Sequence, residues 1–322
     1  MPPANRKNPV RAASSDSLYS VMDFHAEFPD DDACLVYLWQ TRYSEDGEHA
    51  HCPKCDQTRR FKRYETKQQR QSWTCVGCGH HIHPTAGTIF HKSSTSLHLW
   101  FYAMFLVSSS RCGIAAKQLE REIGVNYKTA LRMLHLIRGE LMQQDDTPLS
   151  GEVEADEAFI GGKLRESDRR KLRAQGIRNA GPASKPRDVV FGAVERGGSI
   201  RAAYVGPRRT ARDVSTKLHE FVLPGSMVYT DDWGGYDPIH KTYRHRRINH
   251  SGRVYVSGDV HTQTIEGFWG HFKTDVRGTH HSISTRWLPG YLNEWVWKYN
   301  HRDDDRAMFR TMLQSAVTPD NA

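Results

Sequence analysis

The spacing of apolar residues changes twice along the chain. From Ser17 to Tyr43 they recur at helical intervals, with Leu35, Leu38 and Trp39 on one face. Asp30, Asp31 and Asp32 stand where the start of that helix favours negative charge. A cysteine-bearing stretch from His51 to about Thr88 follows, and "LHLWFYAMFLV" from Leu97 then opens two or three helices that reach Gln144. "QQDDTPLSG" reads as a linker. Beyond Gly151 the pattern is different. "EVEADEAFIGG", "RDVVFGAVERGG", "IRAAYVG" and "SMVYTDDW" are short strand-like runs closed by glycine or turn residues. Between the third and fourth, "TARDVSTKLHEFVLPG" has helical spacing, with Val214, Leu218, Phe221 and Val222 as its apolar face and Pro224-Gly225 as its stop. Three strands, a helix, a strand and further helices predict a mixed α/β domain. No internal repeat is visible.

At 322 residues the chain is long enough for two or three domains. Its formal charge of +8 points to a polyanionic partner. No apolar run approaches the ~18 residues that span a bilayer, and the leader "MPPANRKNPVRAASSDS" lacks the apolar core of a signal peptide. A soluble, cytoplasmic protein with no membrane partner is expected. The segment from Lys163 to Arg187 carries nine lysines or arginines against two acids, between the first two strands. It reads equally as a polar loop or as an arm that contacts phosphates.

Four of the six cysteines form two pairs, Cys52-Pro-Lys-Cys55 and Cys75-Val-Gly-Cys78, with 19 residues between them. Two such pairs supply four thiolates, the ligand set of a closed, structural Zn²⁺ site in a reducing compartment. Between them, "RRFKRYETKQQRQSWT" alternates basic and aromatic residues as two strands of a ribbon would. His80, His81 and His83 are expected to be ordinary histidines, and Cys34 and Cys112 buried small residues. Downstream, Leu119 and Ile123, a turn at Gly124, and Leu131, Leu134 and Leu141 describe two helices around a glycine. That suits a helix-turn-helix with Asn126, Tyr127, Lys128 and Arg132 facing a DNA groove, although ordinary helical hairpins share the pattern.

Three acids fall at successive elements of the α/β part. Glu154 and Asp156 share one face of the first strand by the period-two rule. Asp231 and Asp232 close the fourth, at the end where α/β sheets place their sites. Glu266 lies 35 residues after Asp231, in "TIEGFWGHFK". As a helix, that stretch puts Lys273 on the same face, about 10 Å further along. Three such carboxylates can hold two divalent cations, Mg²⁺ or Mn²⁺, for phosphodiester displacement.

"CPKC", "WTCVGCGHHIHPTAGTIFHKSSTSLHLWF", "GIAAKQLEREIGVNYKTALRMLHLIR", "EADEAFIGGK", "YTDDWGGY" and "IEGFWGHFK…GTHHSIS…YLNEWVWKYNHR" together resemble DDE-type insertion-sequence transposases with an N-terminal zinc ribbon, the ISXO-like group. The likeness runs from about residue 25 to 305. It implies an RNase H-like catalytic domain, divalent-metal-dependent cleavage and strand transfer, and binding to double-stranded DNA as terminal inverted repeats and target. It also implies a homo-oligomer on DNA, in a prokaryotic cytoplasm and at the nucleoid when bound. By position, Asp156 and Asp231 match the family aspartates, Glu266 the acid of the catalytic helix, and Lys273 the lysine that follows it. Relatives often carry asparagine where Gln263 stands. The expected organisation is a disordered leader (1–20), an N-terminal helix and zinc ribbon (21–92), a helix-turn-helix-like region (93–148), the DDE domain (149–305) and a tail (306–322). A transposon-derived DNA-binding regulator without catalysis and an RNase H-like nuclease are the alternatives.

Overall fold

The computed structural model describes residues 18–64, 72–161, 188–248 and 261–318, with positions 170, 173 and 174. Apart from those three positions, the basic stretch 163–187 lies outside the described residues, as does most of the leader. The chain divides into two compact units. One comprises Met1–Arg111, Ala116–Ile137 and His301–Ala322; the other comprises Cys112–Ala115 and Arg138–Asn300.

In the first unit the helix expected to start at Asp30–Asp32 is α2 (Asp31–Arg42), and a separate short helix, α1 (Val21–Glu27), precedes it. Local chemistry makes the break. Ser20 caps α1 in a reciprocal capping box with Asp23. Pro29 disfavours the helical conformation at Phe28 before it, and Asp30 restarts the helix by accepting from the Ala33 amide at 2.9 Å. An antiparallel sheet follows in the order β1 (His49–Cys52), β2 (Gln57–Tyr64), β3 (Ser72–Cys75) and β4 (His81–Ile82). Trp39 of α2 stacks on Trp73 of β3 at 4.7 Å, in a small core with Leu35, Phe61 and Ile82. Then come α3 (Leu97–Ser109), α4 (Ala116–Ile123) and α5 (Tyr127–Leu136). The segment expected as a tail contains a further helix, Met308–Val317, packed on α2 and α3. Cys34 is buried, but Cys112 is exposed, which corrects the expectation for it.

The second unit is built on five strands: β5 (Glu152–Ile160), β6 (Asp188–Glu195), β7 (Ile200–Gly206), β8 (Met227–Asp231) and β9 (Arg244–Ile248). Their spatial order is β7-β6-β5-β8-β9. β5, β6 and β7 run as an antiparallel meander, whereas β8 lies parallel to β5 and β9 parallel to β8. β9 was not among the expected strands. Its sequence, Arg-His-Arg-Arg-Ile, is mostly solvent-facing, and such charges suit an edge strand.

Each face of this sheet is covered. The helix α6 (Ala211–Phe221) packs Val214, Leu218 and Phe221 onto Val153, Ala155, Phe191 and Ala193. On the other face lie α7 (Gln263–Gly278) and α8 (Leu288–Asn300), whose Ile265, Trp269, Phe272, Leu292 and Val296 pack with Ala158, Val190 and Val194. Gly192 lets α7 close on the sheet, because a Cβ there would lie 2.7 Å from Cζ2 of Trp269. Behind α7, the buried carboxylate of Glu294 accepts from Arg138 Nε at 2.6 Å and from Lys298 Nζ at 2.7 Å. Burial pushes the Glu294 carboxyl up, yet the two cations outweigh it and bring it to about 2.

Candidate active site and metal centres

The strand register brings the first two acids together. β5 pairs with β8 through Glu152–Met227, Val153–Val228 and Glu154–Tyr229. Two residues further on, the same register sets Asp156 beside Asp231. Side chains alternate along a strand, so Glu154 and Asp156 both point toward α7.

Glu154 has a different task from Asp156. It is fully buried and accepts from the amides of Thr264 and Ile265, at 2.8 and 3.2 Å, in the first turn of α7. Arg196 Nε lies 3.0 Å from the same carboxylate, and Thr264 Oγ1 3.1 Å. An acid that caps a helix from a neighbouring strand fixes where the helix begins. Glu154 therefore ties the N-terminus of α7, and with it Glu266, to the strand that carries Asp156. The sequence pattern singled out the shared face of Glu154 and Asp156 but not this division of labour. Glu154→Gln is expected to lower stability by about 3 kcal/mol, the usual cost of breaking a buried ion pair. Urea unfolding would read it, and a loss below about 1 kcal/mol would show that α7 is held without Glu154.

Asp156, Glu157 and Asp231 present carboxylate oxygens that all lie within 4.8 Å of one another. Glu157 was not anticipated; it follows Asp156 directly, and strand alternation would send it to the opposite face. Indeed it is buried on the α6 side, where its Oε1 accepts from the Tyr236 hydroxyl at 2.7 Å and its Oε2 from Arg209 at 3.3 Å. Burial raises the Glu157 carboxyl above its ordinary value, against the pull of Tyr236 and Arg209. Asp231 is half-buried; its Oδ1 accepts from the Trp233 amide at 3.1 Å. Asp232 is exposed.

The Asp156 carboxyl is raised to about 7, first by burial and then by the negative charge of Glu157, with Asp231 and Glu266 adding to it. Glu266 thus acts on Asp156 through its field while standing outside the tight three-acid group. It sits in the first turn of α7, exposed, and its Oε1 accepts from Thr262 Oγ1 at 2.7 Å. Gln263, three residues earlier in the same turn, is also exposed, and Lys273 is half-buried two turns beyond Glu266. Clustered hard oxygen donors that repel one another when empty are a fitting environment for a divalent cation.

In the other unit, Cys52, Cys55, Cys75 and Cys78 bring their sulfurs within 4.8 Å of one another. Sγ of Cys52 is 3.6 Å from that of Cys78, and Sγ of Cys55 is 4.0 Å from that of Cys75. A tetrahedron with Zn–S bonds of 2.3 Å has edges of about 3.8 Å, so this donor set fits a closed zinc site. The Cys75 thiol comes down to about 7: burial opposes this, but the amides of Cys78 and Gly77 outweigh it. His81 bonds Ser72 Oγ at 2.9 Å and is not in the cluster.

Tyr127, Lys128 and Arg132 are exposed on α5, and Asn126 is exposed immediately before it. The turn between α4 and α5 contains Gly124 at φ +68°, and the Asn126 side chain caps α5 by accepting from the Thr129 amide at 2.9 Å. Lys117 of α4 lies 5.2 Å from the Tyr127 ring.

Residues 148–300 match the model of the ISXO2-like transposase domain. A transposase-like protein of Haemophilus influenzae is 31% identical over 87 residues, covering 27% of this chain and 69% of that protein. The chain belongs to the ISXO2-like transposase family. A second relative, a protein in the transposable element ISH50 of Halobacterium salinarum, is 28% identical over 246 residues, or 74% of this chain and 77% of its own length. The family match spans the sheet, Glu154, Asp156, Glu157, Asp231 and Glu266, and α7 and α8, so the acid cluster lies within the transposase domain. Among the described residues, no helix is long and apolar enough to cross a membrane.

Proposed function

We propose that this protein cuts DNA at the terminal inverted repeats of its own insertion sequence and joins the exposed 3′-hydroxyls to target DNA. The observation that carries the reading is the placement of Asp156 and Asp231 on adjacent parallel strands, with the Glu266 helix clamped to the same strand by Glu154. The strand order, with an antiparallel meander on one side of β5 and parallel strands on the other, supports an RNase H-like catalytic domain. Asp156, Asp231 and Glu266 would hold Mg²⁺ or Mn²⁺, with Glu157 able to contribute an oxygen. Bound there, the cations would activate the attacking oxygen and stabilise the leaving one. The protein's own part is positional: β5 and β8 fix two acids, and Glu154 fixes the third. Lys273 would contact DNA beyond the acids.

The four-cysteine ribbon and the exposed residues Asn126, Tyr127, Lys128 and Arg132 are the proposed recognition elements, in a helix-turn-helix arrangement. Both fit the +8 charge of the chain. Assembly into a homo-oligomer on DNA belongs to the same reading. Zinc would be structural, since metal binding supplies the folding free energy of so small a module. Cys52→Ser is expected to lose about one zinc per chain and specific end binding while the α/β unit keeps its fold. Metal analysis that finds no zinc in folded wild-type protein contradicts this.

The reading is tested by incubating the protein with Mg²⁺ and DNA carrying the element's ends. Joined products support it. Specific binding without cleavage would favour a regulator, and hydrolysis without joining a nuclease.

A further inference from the structure

A positive charge already stands against two acids of the cluster, Glu157 and Asp231. Arg209 lies between β7 and α6, with its Nη1 3.3 Å from Glu157 Oε2 and 3.8 Å from Asp231 Oδ2. The other oxygen of each acid is already engaged, Glu157 Oε1 by Tyr236 and Asp231 Oδ1 by the Trp233 amide. The guanidinium also lies 4.0 Å over the Trp233 ring, a contact that does not depend on either acid. Arginine suits both partners, because its planar fork pairs with carboxylate or phosphate and stacks on aromatic rings.

We infer that Arg209 is the built-in counter-ion of this cluster, that an arriving divalent cation displaces it from Asp231, and that the freed guanidinium, still stacked on Trp233, faces a DNA phosphate. The inference rests on the reading of the cluster as a cation site. Arg209 offsets part of the mutual repulsion of Glu157 and Asp231 in the cation-free protein. It also couples metal entry to the exposure of a phosphate-binding group. A purely structural Arg209 would have the opposite consequence, because loss of the residue that arranges the acids would weaken cation binding.

Calorimetric titration of Mn²⁺ into zinc-loaded, full-length, DNA-free protein tests it. Arg209→Gln removes the charge but keeps a donor and most of the side chain. It should bind Mn²⁺ at least about fivefold more tightly than wild type, since one competing charge at about 4 Å is removed. Arg209→Lys should stay within about twofold, and Asp156→Asn should bind more weakly. Unchanged or weaker binding by Arg209→Gln overturns the inference. Absence of Mn²⁺ binding in wild type and Arg209→Gln alike contradicts the cation-site reading itself.

A second measurement needs no variant. Phenylglyoxal modification of Arg209 in wild type, followed by peptide mass analysis, should speed up at least about threefold when Mg²⁺ is added. An equal or slower rate shows that the guanidinium is not displaced.

Discussion

Asp156→Asn and Asp231→Asn are each expected to abolish strand joining, by at least about a thousandfold, or ~4 kcal/mol of barrier. Folding and end binding should survive, because neither acid is a partner in the helix clamp that Glu154 provides. A gel assay for joined DNA reads the loss. If Asp231→Asn stays active while Asp232→Asn is dead, the exposed neighbour and not Asp231 is the functional acid. The same substitution at Asp156 has a pH signature. Its carboxyl is raised to about 7 in the folded protein, mainly by burial. From about pH 4 upward the unfolded chain loses a proton that the folded protein keeps. The stability from this group is therefore full below about pH 4 and declines as the pH rises to 7. Asp156→Asn removes that decline. Thermal denaturation in divalent-free buffer should show wild type losing stability relative to Asp156→Asn between pH 5 and pH 8, and parallel profiles would contradict it.

The second large effect separates Glu266 from Gln263. Both lie in the first turn of α7, and both are exposed. Only Glu266 brings a charge, and that charge is felt at Asp156. A carboxylate neutralises Mg²⁺, whereas an amide oxygen is a weaker, neutral ligand. Glu266→Gln should remove nearly all joining in Mg²⁺, with partial recovery in Mn²⁺, which tolerates poorer ligation. Gln263→Ala should lower it by no more than about tenfold, or ~1.4 kcal/mol. The reverse pattern would move the third ligand to Gln263 and make Glu266 a supporting residue.

Much of the α/β unit was legible because its strands are buried. Val189 to Val194 and Met227 to Thr230 are apolar runs with turn residues at their ends, and α6 shows its stripe of Val214, Leu218 and Phe221 plainly. β9 was not legible, because an edge strand pairs through its backbone and leaves Arg244, Arg246 and Arg247 in solvent. The break between α1 and α2 was legible only in its caps, since apolar spacing runs on through Pro29. At the site, Asp156 and Asp231 were visible as acids in apolar strands. Glu157 and Arg209 were not, because what joins them is the packing of Tyr236 and Trp233 around the strand ends, far apart in sequence. Glu154 was visible but its role was not, since a carboxylate that caps a helix 110 residues away leaves no local pattern.

In the proposed function, the acids on β5, β8 and α7 form one cation-dependent DNA-joining centre. Purified protein, mixed with Mg²⁺, linear DNA ending in the element's inverted repeats and a supercoiled target, tests it most directly. The expected products have the 3′ ends of the repeats joined to the target, and they are absent without a divalent cation and absent with Asp156→Asn. Joined products that persist with Asp156→Asn, or cleavage by wild type that never yields a joined end, would contradict it.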